Sequence, residues 1–387
     1  MVNGMQKKDE GREFYIDYLR LGLIVLVVMQ HLSVTYSGIG SWYYLERGAL
    51  SLPETTCFLL FNSFNQAYFM GLLFLVAGYF VPGAYDKKGF WRFNRDRLFR
   101  LGVPALFYML AIHPLIVYGM GVAEVRPRVE FLPYYTDYIS HGQFLSGSGP
   151  LWFAVALLFF CFVYSLLRLA GGKVAKSMQA ELPTTGRILA VWLLIALVAF
   201  SIRLVQPIGT SIFNMQLCFF SEYVFLFAAG IAAQRRRWFT LLRYEYGVKW
   251  LKAVLLIGMP CWFFIMIAGG VITTQAGFEA LCGGWHWQAA AYALLESFIG
   301  VGMSIGLLAV FREKCNQKNK SWLLLADNSF AVYMFHAPII VALAISLRGL
   351  AWLLLLKFLL LSIISLPICF AATHFIFRRL PLVKKMV

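Results

Sequence analysis

Charge is what this chain has least of. Asp, Glu, Lys and Arg make up 13% of its 387 residues and 60% are hydrophobic; a soluble protein of this length carries about twice that charge. That shortage excludes a water-soluble globule. Cysteines number seven, at 57, 161, 218, 261, 282, 315 and 369, mostly within apolar runs and never at C-x-x-C spacing. Neither a zinc site nor a disulfide framework is indicated, and they read as small buried side chains. Pro- or Ser-rich linkers are missing too, so the chain is expected to form one membrane-embedded unit over 1–387, with tails at 1–14 and 378–387 around a bundle at 15–377. No outward segment is long enough to fold as a separate hydrolase or transferase. The first apolar stretch is too long for a signal h-region and has no small-residue cleavage site behind it, so it is expected to stay as a helix. No internal repeat with matched broken helices, the mark of many secondary transporters, is evident.

What is present is a succession of apolar runs of about twenty residues, each long enough to span a bilayer. An all-α polytopic bundle is expected, with ten helices near 15–37, 55–82, 98–121, 150–170, 188–205, 214–233, 251–270, 287–311, 326–347 and 350–377. The net charge of +16 invites a nucleic-acid partner until its distribution is followed. Alternate connections hold nearly all the Lys and Arg, including 87–100, 168–187, 235–252, 312–320 and the tail from Arg378; the others hold only Arg47, Arg126, Arg128, Arg203 and Arg348. This asymmetry is the positive-inside rule. It places both termini in the cytoplasm, the membrane being read as a bacterial inner membrane, and removes the argument for nucleic acid. The longest outward loop, near 122–149, carries Arg126, Arg128, Glu130, Tyr134, Tyr135, Asp137 and Tyr138. It reads as an aromatic belt or as the cover of an external opening. Gly302 and Gly306, four apart, read as a close-packing pair.

Ionisable groups inside the apolar runs stand out because each costs about 2.5–3.5 kcal/mol at the centre of a membrane helix. Arg20 and His31 are eleven positions apart. At about 100° per residue they return to within about 20° of the same face, roughly 16 Å apart along one helix. Asp17 lies one turn before Arg20 and is expected to pair with it. Further on, Arg95, Arg97 and Arg100 cluster at the start of the third run, where 97 and 100 are expected on one side of a helix. Two readings stand: an anchor for anionic lipid, or a clamp for the phosphates of a donor such as a coenzyme A thioester. Asp327-Asn328 is read as opening the ninth helix, with His336 about ten residues in, near mid-depth; Glu222 and Glu296 fall near mid-depth in the sixth and eighth. Together with His31 they imply a polar interior, either a reaction chamber or a permeation path.

In order, the chain shows Arg20-x10-His31, then Phe74-Leu75-Val76-Ala77-Gly78-Tyr79-Phe80, Arg97-x-x-Arg100 with Pro104, Leu151-Trp152-Phe153, and Tyr333-Met334-Phe335-His336. This ordered set resembles the membrane acyltransferase 3 family. The opening Arg12-Glu13-Phe14-Tyr15-Ile16-Asp17-Tyr18-Leu19-Arg20 looks closest to the family's osmoregulated periplasmic glucan succinyltransferase branch. The resemblance implies O-acyl transfer of a short acetyl or succinyl group from cytoplasmic acyl-CoA, a co-substrate and not a bound cofactor, to a hydroxyl of an extracytoplasmic glycan. On this reading His31 is the general base, Arg20 lines the donor's route or binds its phosphate with Asp17 fixing the Arg20 fork, and Arg95, Arg97 and Arg100 hold the donor phosphates. His336, Trp152, Glu222 and Glu296 are candidates for acceptor or oxyanion contacts, and no metal is expected. Direct transfer without an acyl-enzyme is expected. The competing reading is a proton-coupled transporter or flippase using His31, Glu222, Glu296 and His336.

Overall fold

The computed structural model describes residues 12–46, 48–123, 130–171 and 179–379. Among the described residues the regular structure is helical, apart from one isolated bridge between Ile212 and Met215. The long elements are α1 (Phe14–Ser37), α2 (Leu52–Gln66), α3 (Phe69–Arg97), α4 (His113–Ala123), α5 (Trp152–Ala170) and α6 (Thr185–Arg203). They continue with α7 (Phe220–Arg236), α8 (Tyr244–Ala253), α9 (Met259–Ala268), α10 (Trp287–Lys314), α11 (Lys320–Ser346) and α12 (Leu354–Phe375).

Nine helical runs among the described residues are long and apolar enough to cross a bilayer, and one of them, Leu52–Gly121, is 70 residues long. Straight, it would extend about 105 Å, over three times the hydrocarbon thickness. It turns back at Gly89, whose φ of +69° is a left-handed value open to glycine at little cost. The reversal is visible in the packing against α5. Phe74 meets Phe153 at 4.6 Å between ring centroids and Tyr85 meets Tyr164 at 5.8 Å. Beyond Gly89 the order inverts: Asn94 donates to Ser165 at 3.0 Å, and Gly102 lies beside Leu158. The run therefore folds back on itself as two segments, each long enough to span a bilayer.

Three π-turns, Leu98–Gly102, Tyr108–Ile112 and Val254–Gly258, each end two residues before a proline: Pro104, Pro114 and Pro260. Proline lacks an N–H and clashes with the carbonyl four residues back, and a widened turn relieves both problems without ending the helix. The first π-turn also alters the expected alignment of Arg97 with Arg100, because the helical period changes between them.

Glycine sets the closest helix contact. A Cβ on Gly78 of α3 would lie 2.2 Å from the Phe227 carbonyl oxygen of α7, and one on Gly230 of α7 would lie 2.1 Å from that of Leu75. The two backbones touch at both points, so the glycine of the Ala77-Gly78-Tyr79 segment is a packing residue. Gly78→Val should cost at least about 1–3 kcal/mol by overpacking, measured as a lower thermal midpoint in detergent; a midpoint equal to wild type would mean that the helices separate freely here. Gly302 and Gly306 instead leave room for the side chains of Val254 and Leu251. Burial ranks the helices: 61% of the best apolar window is buried in α1, α10 and α11, against 17% in α6, so the first three form the centre.

Two expectations need correction. α11 begins at Lys320, six residues before the expected start, because Asn319 caps it by accepting from the Trp322 N–H at 3.1 Å. His336 is thus about 24 Å along its helix, not about ten residues in. Tyr18 of α1 donates to the Gln317 carbonyl at 3.1 Å, so α1 and α11 start level and run parallel, which brings His31 and His336 to one depth. The expected outward loop is partly ordered as a helix at Phe131–Ser140, with the Tyr138 hydroxyl donating to the Met109 carbonyl at 2.7 Å. Arg126 and Arg128 lie outside the described residues, as does Arg47.

Candidate active site

The ends of the bundle differ in charge. One end carries the Lys- and Arg-rich connections and is here called the basic end; there Arg168 and Arg235 pair with Asp86, Arg12 joins Asp17 to Asp327, and Arg312 donates to the Phe239 carbonyl. At the other end a cavity of about 790 Å³ opens among α1, α2, α4, α10 and the connections 38–51, 143–151 and 204–219. His31 lines it.

The segment after α1 folds back over His31 for local reasons. Gly38 caps α1 in the left-handed conformation, donating to the Val34 carbonyl, and Gly40 also has positive φ. Glu46 then ties the segment down: its N–H donates to the Thr35 carbonyl at 2.8 Å, and its carboxylate pairs with buried Lys357 of α12 at 2.7 Å. This places the Trp42 ring 3.7 Å from that of His31, nearly parallel at 15°. His336 lies on the same stack, 5.3 Å from His31 at 19°. Among the described residues His31 makes no side-chain hydrogen bond, so its ring nitrogens are available to whatever enters the cavity.

His336 is fully buried. Its Nδ1 is 2.8 Å from the Tyr333 carbonyl oxygen, which accepts only, so Nδ1 carries the proton and Nε2 presents a lone pair. Nε2 has no partner among the described residues. This tautomer offers an acceptor; the expected oxyanion contact requires the protonated ring. Tyr333 donates its hydroxyl to the Pro150 carbonyl, fixing the turn that leads into Trp152. Asn214 secures the same turn, donating to the Gly149 carbonyl at 2.8 Å and Ser148 Oγ at 3.0 Å. Trp152 lines the cavity beside Tyr223, at 5.7 Å and 29°. The remaining wall is polar and aromatic. Tyr43 bridges His113 Nδ1 at 2.8 Å and the Tyr108 hydroxyl at 3.0 Å, and Gln66 donates to the Tyr223 hydroxyl at 3.0 Å. Aromatic faces with amide and hydroxyl groups at their edges suit a polyhydroxylated ligand.

The other expected residues lie apart from this cavity. Asp17 pairs closely with Arg12 at 2.6 Å, Arg12 reaches Asp327 at 2.8 Å, and Arg20 is 3.8 Å from Asp17. The Asp17–Arg20 contact exists, but Arg12 is the nearer partner. Arg20 keeps 42% of its side chain accessible. Arg95 and Arg100 are exposed at the basic end, and half-buried Arg97 sits over the Phe93 ring at 5.2 Å. None of the three lines the cavity of His31. Glu222 is buried where Gly71 and Gly300 leave room for it; a Cβ on either would fall within 2.5 Å of its Oε1. Glu296 pairs with Arg203, fully buried at the end of α6. Arg203 lies between the rings of Phe219 at 5.5 Å and Tyr292 at 5.4 Å, and both rings line the cavity. The pair therefore stands behind the cavity wall.

The acyltransferase 3 family model, an acyltransferase domain, matches residues 13–374. The chain belongs to the acyltransferase 3 family. The matched span contains every site residue described above except Arg12. Among curated relatives, Glucans biosynthesis protein C of Escherichia coli O6:K15:H31 is 29% identical over 143 residues, 35% of each chain. The protein of the same name from Salmonella paratyphi B is 26% identical over 157 residues, 40% of this chain and 38% of that one; the Salmonella enteritidis protein matches equally. Each match spans little more than a third of the relative's length. No solved structure matches. The family was legible in the sequence, and His31, singled out there, lines the cavity; Trp42 and the Arg203–Glu296 pair were missed. Trp42 had one available signal, the Gly38-Ile39-Gly40 turn before it; the ion pair had none, since 93 positions separate its members.

Proposed function

We propose that this acyltransferase moves a short acyl group, acetyl or succinyl, from cytoplasmic acyl-CoA to a hydroxyl of an extracytoplasmic glycan held in the cavity of His31. The observation that carries the reading is His31 itself: a histidine with free ring nitrogens, facing a polar and aromatic cavity inside a membrane helix. In the proposed step a His31 ring nitrogen takes the proton of the acceptor hydroxyl as its oxygen attacks the thioester carbonyl. The tetrahedral adduct collapses with cleavage of the carbon–sulfur bond, and CoA leaves as the thiol with the proton returned by the imidazolium. The lone pair of His336 is placed to accept a hydrogen bond within the ring stack. The basic end faces the cytoplasm of a bacterial inner membrane by the distribution of Lys and Arg. Arg95, Arg97 and Arg100 then sit on the side that acyl-CoA reaches, where planar guanidinium groups suit its phosphates. The name of the relatives, glucans biosynthesis, supports a glycan acceptor. The transporter reading has less support, because Glu222 is enclosed by helix contacts and Glu296 is committed to Arg203.

The test is thiol release from a panel of acyl-CoAs by purified protein in detergent, with and without glucan acceptors. One acyl-CoA should be consumed in an acceptor-dependent manner, and Arg97→Ala/Arg100→Ala should raise its KM about tenfold or more, the scale of one or two charge-assisted contacts. If no CoA ester is consumed under any condition, the donor assignment fails. If KM is unchanged in the double variant, the phosphate site lies elsewhere.

A further inference from the structure

A second cavity, about 650 Å³, lies at the basic end among α6, α7, α8 and α10, on the opposite side of the bundle's depth from His31. Its chemistry is divided. The deep part is apolar, walled by Leu75, Leu226, Val301 and Leu308. Ala229, Ala232 and Ala233 of α7 leave the room that larger side chains would fill. The single polar side chain at depth is Ser304, which is 1% exposed and whose hydroxyl has no partner among the described residues. From Leu226 to Arg236 the cavity follows ten residues of α7, about 15 Å.

The mouth is charged. Arg187 in the first turn of α6, Arg236 in the last turn of α7, and Arg243 before α8 line it. Arg187 and Arg236 have no ion-pair partner among the described residues, whereas Arg243 stands 3.7 Å from Glu245 with both exposed. Glu181 is the acidic residue at the mouth, and its backbone carbonyl accepts from Trp238 Nε1 at 2.7 Å. The mouth keeps a positive excess. Thr184, Thr185, Arg187 and Val191 are exposed along one wall, so the cavity opens at the protein surface beside the bilayer-facing side of α6.

We propose that this cleft binds one anionic phospholipid of the leaflet at the basic end, with its phosphate between Arg187 and Arg236 and an acyl chain along the alanine face of α7. Three features select that occupant. A phosphate meets two unpaired guanidinium groups at headgroup level. A hydrocarbon chain suits a long pocket in which Ser304 is the one unpaired hydroxyl. The amide-bearing arm of a coenzyme A thioester would leave its amide groups without partners there, at a cost that a saturated chain does not incur. Trp238 at the mouth occupies the interfacial position that tryptophan favours in membranes.

The test uses the full chain in nanodiscs of phosphatidylcholine with phosphatidylglycerol, released into native mass spectrometry. One phosphatidylglycerol should be retained and phosphatidylcholine should not. Arg187→Gln/Arg236→Gln should reduce retention about tenfold, the scale of two cations near a headgroup. Ala229→Phe, which fills the cleft and leaves the arginines in place, should reduce it as well; both variants must remain monodisperse. Addition of acetyl-CoA or glycerol phosphate should displace nothing. Equal retention of the two lipids, wild-type retention in both variants, or displacement by acetyl-CoA would overturn the assignment, the last by making the cleft a donor site.

Discussion

Acyl transfer falls by about 10²–10⁴-fold in His31→Ala, the range that a positioned general base contributes, while the protein stays folded and inserted. The second half of that expectation follows from the geometry. His31 makes no side-chain hydrogen bond among the described residues, so removing its ring leaves no buried polar partner unpaired. It loses the stacking on Trp42, 3.7 Å away, and on His336, 5.3 Å away. Trp42 is itself held through Glu46 and Lys357, so the wall of the cavity should persist. A base acts only when unprotonated, and the wild-type rate should therefore rise with pH from the acid side. The residual rate of His31→Ala should lack that limb. The measurement is acceptor-dependent thiol release across pH, with thermal midpoints for both proteins. Wild-type turnover in the variant would sink the general-base role. Loss of activity together with a collapse of the midpoint would make His31 structural instead.

The second large effect concerns stability. Arg203 is entirely buried and Glu296 nearly so, on helices α6 and α10. The guanidinium Nε and Nη1 and the Glu296 Oε1 have no hydrogen-bond partner among the described residues. Each member of the pair therefore depends on the other. Arg203→Met leaves a carboxylate buried without its cation, and Glu296→Met does the converse. Either should cost about 3–5 kcal/mol, the scale for breaking a buried pair from one side. Arg203→Met/Glu296→Met removes both charges and should recover most of that loss. Thermal unfolding in detergent of the two single variants and the double variant measures it. A double variant no more stable than the worse single would show that the two residues stabilise the bundle independently. Because Phe219 and Tyr292 flank Arg203 and also line the cavity, the single variants should disturb the cavity wall in step with stability.

Arg20 and His31 fall on one face of α1 because the helical period is a local property, readable from eleven positions of sequence. The apolar runs and the residue motifs are equally local, and they determined the class and the family. Gly78 was visible as part of a motif, but its role was not. Only the Phe227 carbonyl, brought to 2.2 Å from where its Cβ would stand, explains why no side chain is there.

What tertiary structure alone decided is which polar groups meet. His336 reaches the depth of His31 because Tyr18 and Asn319 start α1 and α11 level, a contact 301 positions apart in sequence. Trp42 joins them because Glu46 finds Lys357 on the last helix. Glu222 and Glu296, alike in composition and depth as read along the chain, part ways when one is enclosed by glycines and the other takes Arg203. Residue type and period follow from short-range bonding and are written in the sequence. Partner choice inside a bilayer depends on helix register and close packing summed over many distant residues, and those become definite only when the helices are assembled.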